Sequence, residues 1–391
     1  MECEGPLLNN QRWLSTSFLV FFFTWGVFLP YWTGWLTIEK GLSVTAASIV
    51  MGAGMVARSF STFLVFPYLT RKMSLIRVMK WMTIASLLLA LLYIPSSSFT
   101  VLLVITILFS AVYPIILPAV ESGASVLMQT GHIHYGKSRS FGSIGYTVAL
   151  LLIGAATAIW SEQSILYMML IGLGAASLFF MRSAPTALRT APVRTETDTK
   201  STDFKALFSS KGFVVILILT ILLQGAHASY YNFGFIFLDE LGVNGLYIGI
   251  ILNIAVLFEI LFFTRADRLF ANMKTSTMFL IAGIGSTLRW LLIYLFPFTS
   301  VFIGTQVLHA VSFGVAHFAF IKYISKSLPG SQIAAAQGMY AAFAMSLSTA
   351  ILTFPGGYLY DISPRLAFLG MTICTIPAIV IVLTTRKKYA Y

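Results

Sequence analysis

Seven ionisable side chains stand inside long apolar runs of this 391-residue sequence: Arg58, Glu121, His227, Glu259, Arg289, His309 and His317. An eighth, Arg139, enters the start of another run. At bilayer depth such a group costs at least about 2.5–3.5 kcal/mol, so it is expected to face a protein interior and to have a partner or a task there. The chemistry open to this set is anion binding and proton movement. Burial favours the neutral form of a carboxyl group, and a neighbouring Arg favours the charged form. A Glu–Arg pair that forms in one conformation and separates in another would therefore release and take up a proton as the chain moves. Glu259 with Arg289 is the first candidate, with His309 and His317 as further proton-coupling residues. The plainer reading of Arg58, Glu259, Arg289 and His309 is a structural ion pair or a core hydrogen bond. For Glu121 and Arg139 it is an interfacial pair that snorkels. His227 lies in Gln224-Gly225-Ala226-His227-Ala228-Ser229-Tyr230-Tyr231-Asn232, a stretch polar enough to predict a cavity wall. His132 and His134 fall in a loop and are expected to be solvated.

Other chemistries are not indicated. The sequence has no phosphate-binding glycine loop, nucleophile motif or metal-ligand spacing. An ATP-driven pump and a membrane enzyme are therefore not expected, and neither is a cofactor or a metal. Cys3 and Cys374, near opposite ends, predict no disulfide framework.

The elements that must position these residues are membrane helices. The chain is 58% hydrophobic and only 10% charged, against about 25% charged in soluble domains. Its net charge of +12 is spread over alternate short loops, which predicts no nucleic-acid partner. Apolar runs of bilayer length place twelve spans near 13–37, 44–66, 75–94, 99–127, 138–160, 164–182, 212–238, 246–264, 275–296, 299–325, 332–356 and 365–385. The first is too long for a signal-peptide core and is read as a retained span. Of the 25 Lys and Arg, 21 fall on one side of this arrangement and only Lys40 and Arg365 on the other. The basic side is predicted to be cytoplasmic and to hold both termini. A polar stretch at 183–211, with Pro185, Pro192, Arg194, Lys200 and Lys205, divides the chain into 1–182 and 212–391. The expected fold is an all-α membrane protein of two six-helix halves with a binding site near the midplane between them. A monomer is expected, with a small-molecule substrate, protons and the lipid bilayer as partners. The aromatic cluster Phe21-Phe22-Phe23, Trp25, Tyr31, Trp32 and Trp35 is expected mostly to face lipid or the membrane interface.

Several segments carry a resemblance over essentially the whole chain. They are Phe22-Phe23-Thr24-Trp25-Gly26 through Pro30 to Trp35, Pro118-Ala119-Val120-Glu121, and Tyr135-Gly136-Lys137-Ser138-Arg139-Ser140-Phe141-Gly142-Ser143-Ile144-Gly145-Tyr146. Glu259, Arg289 and Leu308-His309 extend the match. The chain resembles lactose-permease-like sugar–proton symporters of the major facilitator superfamily. In Gln224-Gly225-Ala226-His227-Ala228 it is more similar to their phenylpropionate permease relatives. The resemblance implies the major facilitator fold and a secondary transporter at the inner membrane working by alternating access. It implies that Arg139 and Glu121 bind substrate, and that Tyr146 takes the place of a ring-stacking tryptophan. Ser143 lies in the same segment, and Arg58 and His227 complete the expected substrate set. Two departures stand out. Ser312 occupies the position of the family's proton-carrying glutamate, and Tyr230 and Gln306 replace a buried Asp–Lys pair. The function expected is proton-coupled symport of a small organic solute, an aromatic carboxylate or a sugar. The alternatives are a sugar or nucleoside permease and a drug efflux antiporter. Phe141 to Trp160 lacks the proline that efflux antiporters of this superfamily show in span five.

Overall fold

In lipid, every backbone N–H and C=O must be satisfied inside its own segment, so apolar runs of this length fold as helices. The computed structural model describes residues 4–130, 133–182, 184–189, 206–389 and 391. All regular elements among them are helical. Eleven helices are long and apolar enough to cross a membrane: Asn9–Ile38, Val44–Thr70, Phe99–Met128, Lys137–Ile159, Gln163–Met181, Lys211–Glu240, Gly245–Phe263, Thr275–Leu295, Thr299–Ser327, Ala335–Ile362 and Pro364–Tyr389. They are spans one, two, four and so on to twelve of the predicted series. Span three is the 17-residue helix Leu75–Leu91, about 26 Å long at the usual rise. Its apolar run continues through a turn to Ile94. Cys3, His132, Pro192, Arg194, Lys200 and Lys205 lie outside the described residues.

The chain divides into two compact units. The first comprises the described residues of Met1–Leu42, Ala53–Thr195 and Asn244–Gly249; the second, those of Ser43–Gly52, Glu196–Val243 and Ile250–Tyr391. Thus the N-terminal parts of spans two and eight belong to a different unit from the rest of their helices. The two turns that lead into these spans share a conformation. Gly41 and Gly242 have φ of 69° and 76°, a left-handed geometry that glycine adopts without strain. In the second unit, the Asp361 carboxylate accepts hydrogen bonds from the Val44 and Thr45 amides at 3.2 and 2.9 Å. It satisfies two of the free N–H groups at the start of span two.

The first unit is built on an aromatic core, which corrects the expectation that these rings mostly face lipid or the membrane interface. Tyr31, Trp32 and Trp35 have no solvent exposure, and Phe21 is also buried. Phe28, Trp32, Tyr93, Phe109 and Tyr113 form a continuous set of ring contacts with centroids 5.0–6.5 Å apart. Offset and edge-on rings add about 0.5–1.5 kcal/mol per pair beyond burial. Elsewhere in this unit large apolar side chains such as Leu178 and Trp160 are well exposed.

Several spans are irregular in their middle. Span four passes through a 3₁₀ turn at Tyr113–Ile115 around Pro114. Span seven breaks between Gly225 and Ala228, at His227. Spans two, ten and eleven contain π-helical segments at Ser61–Val65, Ala310–Val315 and Tyr340–Leu347. Such bulges are rare and occur mostly at functional sites.

Candidate functional site

Each unit holds its own cluster of the predicted residues. In the first unit, spans one, two, four and five supply the groups. Arg139, Ser143 and Tyr146 stand at helical spacing on one face of span five. Gln11 fixes the start of that helix. Its side-chain amide donates to the Ser138 hydroxyl at 2.5 Å and to the His134 carbonyl at 3.2 Å, and its oxygen accepts from the His134 amide at 2.8 Å. The Arg139 guanidinium lies 3.5 Å from Glu121 and rests on the Phe22 ring, 4.2 Å from its centroid. Tyr135 donates to the other Glu121 oxygen at 2.8 Å. Burial, and then the charge of Glu121, push the Tyr135 phenol above its ordinary range, so it remains a donor to that carboxylate. The Arg139 and Glu121 side chains are 37% and 35% exposed, which leaves them accessible to a ligand. Tyr146 is half-buried beside Gly26, where an added Cβ would stand 3.2 Å from its ring. Ser143 is half-buried.

Arg58 takes a different position. It lies 4.5 Å from the centroid of Trp25, which stacks on Tyr113 at 6.2 Å, and Tyr113 in turn bonds Thr24 at 2.7 Å. Among the described residues no carboxylate pairs with Arg58. The span-two arginine is thus a cation held by rings.

In the second unit, His309 joins the two residues expected to pair directly. Its Nε2 lies 3.4 Å from Glu259, and its Nδ1 lies 2.9 Å from an Arg289 terminal nitrogen. Arginine can only donate, so Nδ1 accepts and the ring proton sits on Nε2, facing the carboxylate. Arg289 has no exposure and lies 4.3 and 4.7 Å from the ring centroids of Tyr230 and Trp290. Tyr230 and Gln306, which replace the charged pair of the sugar-permease pattern, hydrogen-bond each other at 2.8 Å. Gln306 also accepts from Arg289 at 3.5 Å.

His227 does not line a cavity as expected. It has no exposure, its Nδ1 bonds the Leu223 carbonyl at 3.0 Å and its Nε2 bonds the Ser312 hydroxyl at 3.0 Å. A carbonyl only accepts, so Nδ1 carries the hydrogen and Ser312 donates to Nε2. His227 stands edge-on to His309 with ring centres 5.4 Å apart, as part of the same network. His317 bonds Tyr340 at 2.7 Å, and Tyr340 accepts from Gln224 at 3.0 Å. His309, Phe313 and His317 stack face to face through the π segment of span ten.

Sequence reasoning missed Tyr135, Phe22, Trp25, Tyr113 and Tyr340 as site residues. Tyr135 carried a usable signal, since it lies one helical turn before Arg139 and shares its face.

Among the described residues, eleven helices able to cross a membrane, with charged and hydrogen-bonded groups buried among them, describe a multi-pass membrane protein with a polar site in its interior. The profile of the MFS_1 like family matches residues 11–370, and the chain belongs to that family. It is 28% identical over 374 residues to the probable 3-phenylpropionic acid transporter of Escherichia coli (strain K12), covering 95% of this chain and 97% of that one. It is 26% identical over 384 residues to the maltose permease of Geobacillus stearothermophilus, with 95% and 93% covered. Among solved structures, the nucleoside transporter NupG superposes with a TM-score of 0.81 at 16% identity, covering 98% of this chain and 100% of that one. The peptide transporter POT in complex with sulfate gives 0.73 at 11% identity, with 98% and 94% covered. These likenesses establish the fold of a small-solute transporter, not an enzyme.

Proposed function

We propose that this protein is a proton-coupled symporter that imports an aromatic carboxylate across the inner membrane, with both termini in the cytoplasm. The observation that carries the reading is the pair of first-unit arginines laid against aromatic rings, one of them without a carboxylate partner among the described residues. A cation beside half-buried aromatic rings suits a ligand that is itself a ring bearing a negative charge. The 3-phenylpropionic acid transporter relative supports the same class. In this reading Arg139, Glu121, Ser143, Tyr146 and Arg58 contact substrate, in a monomer of two six-helix halves joined by the 183–211 linker.

The proton is assigned to Glu259. Arg289 holds His309 Nδ1, so the imidazole proton stays on Nε2. Deprotonated Glu259 accepts from it in a charge-assisted bond. Protonation removes that charge and leaves at most a neutral carbonyl oxygen to accept from Nε2–H, which weakens the link between spans eight and ten. His227 and Ser312 keep the network packed, and His317 with Tyr340 extends it into span eleven.

The test is uptake of labelled 3-phenylpropionate, a disaccharide and a nucleoside into vesicles holding the full chain. Accumulation of the aromatic acid, abolished by a protonophore, is expected. Accumulation that ignores the protonophore, or of the sugar alone, would overturn the reading. Glu259→Gln is expected to retain exchange of pre-loaded substrate and to lose uphill accumulation at every pH; an unchanged pH dependence would remove Glu259 as the carrier. A sugar permease is the second reading, favoured by the Glu121–Arg139 contact and by the maltose permease relative. A carboxylate beside a guanidinium offers both acceptors and donors to vicinal hydroxyls.

A further inference from the structure

The second unit contains a cavity of about 870 Å³ at the ends of spans nine, ten and twelve, lined by Lys274, Thr275, Lys326, Ser327, Arg386 and Lys387 among others. Its lining includes no Asp or Glu side chain. A fifth cation, Lys322, is already committed. Its ammonium donates to the carbonyls of Phe270, Ala271 and Met273 at 2.6, 3.0 and 3.0 Å, which uses all three of its protons and holds the cavity wall. The amide at the start of span nine is also committed, since Ser276 N–H donates to the Tyr391 carbonyl at 3.2 Å. The remaining four cations are exposed, and none forms an ion pair among the described residues. The cavity falls within the roughly 300–1,000 Å³ of small-ligand sites.

We infer that this cavity binds the phosphate headgroup of an anionic phospholipid. Phosphate is the chemistry that four uncommitted cations and neighbouring hydroxyls would recognise. A lipid source is favoured over free phosphate by the surface of span twelve. Ile373, Ile376, Val380 and Leu383 are all exposed, and their spacing of three and four residues makes one stripe that ends at Lys387. From Ile373 to Lys387 the helix rises about 21 Å, enough to accompany an acyl chain through its leaflet of about 15 Å. Apolar contact along the stripe and charge at its end together describe a lipid lying against the helix. All four cations lie on the side of the bilayer that carries the basic loops, where anionic headgroups attract such clusters.

The experiment uses the full chain, delipidated in a neutral detergent. It is titrated separately with phosphatidylglycerol, phosphatidylcholine and inorganic phosphate, reading thermal midpoint and, by native mass spectrometry, retained lipid. Wild type is expected to retain phosphatidylglycerol and gain stability from it, with little response to phosphatidylcholine or phosphate. The variant Lys274→Gln/Lys326→Gln/Arg386→Gln/Lys387→Gln is expected to bind phosphatidylglycerol on the order of tenfold more weakly. The charge-matched control Lys72→Gln/Arg77→Gln/Arg182→Gln/Arg268→Gln is expected to behave as wild type. Should the fourfold variant fold poorly, Arg386→Gln/Lys387→Gln removes only the charges at the end of the stripe and is expected to weaken retention as well. Equal retention by the site variants and wild type would overturn the site. An equal loss in the charge-matched control would reduce it to general surface charge. Stabilisation by inorganic phosphate matching that by phosphatidylglycerol would replace the lipid with a soluble anion.

Discussion

Arg139 and Glu121 are each about a third exposed, and ion pairs of that kind contribute roughly 0–1 kcal/mol to stability. Their value to the fold is therefore small, while about a third of each side chain stays accessible to a ligand. Arg139→Ala and Glu121→Ala are each expected to keep the fold and to lose ligand-induced stabilisation. A thermal-shift screen against aromatic acids, sugars and nucleosides checks this; normal shifts in both purified variants would move the site elsewhere. At this scale the sequence exposed which residues were out of place in lipid, because charge in an apolar run is visible without a structure. It did not expose who touches whom. Glu259 and Arg289 looked like partners because they sit on consecutive spans, but His309 stands between them. Only the rotation of spans eight to ten about their axes settles that, and hydropathy carries no such information. His227 misled for a related reason: its own two ring nitrogens are taken up by Leu223 and Ser312, and its polar neighbours Ser229 and Asn232 bond the Ala367 carbonyl and Thr353.

At the scale of elements, spans one and five pack closely enough to set Phe22 on Arg139. The contact depends on Gly142, where an added Cβ would lie 2.6 Å from the Phe22 ring and 2.9 Å from the Arg139 guanidinium. Gly142→Ala is expected to cost about 1–3 kcal/mol through overpacking and to weaken substrate binding together with stability. Denaturant titration and the thermal-shift assay, run side by side, test the coupling; loss of neither would mean the helices can part without consequence. The spans themselves were legible, because twenty apolar residues bounded by turn signals have few alternatives. The shortness of span three, the break at His227 and the three π segments were not. A π segment shifts hydrogen-bond pairing by one residue and leaves composition unchanged. All three begin close to a polar group of interest: Ser61 follows Arg58, Ala310 follows His309, and Tyr340 bonds His317.

For the molecule as a whole, the asymmetry of Lys and Arg predicts the direction of insertion. In a variant lacking Cys3 and Cys374, a cysteine at Glu39 is expected to react with a membrane-impermeant thiol reagent from outside intact cells. One at Ser209 is expected to react only after permeabilisation. The reverse pattern would invert the topology and with it the cytoplasmic placement of the basic loops. The family was also legible, since the segments around Glu121 and Arg139 carry a resemblance that the family match over residues 11–370 bears out. The aromatic core was misjudged, because rings near a span end are equally suited to lipid headgroups and to packing against one another. The pairing of Arg58 with Trp25 has a consequence for biogenesis. An arginine arriving at the translocon in span two would by itself resist partitioning into the bilayer by about 2.5–3.5 kcal/mol. Trp25 belongs to span one and emerges from the ribosome first, so the ring is already in place when the guanidinium needs shelter. A desolvated cation–π contact returns about 2 kcal/mol or more of that resistance. Span two would thus enter the membrane with span one as its escort, and Trp25→Leu is expected to lower the integrated fraction of span two in a translation–insertion assay more than it lowers that of span one.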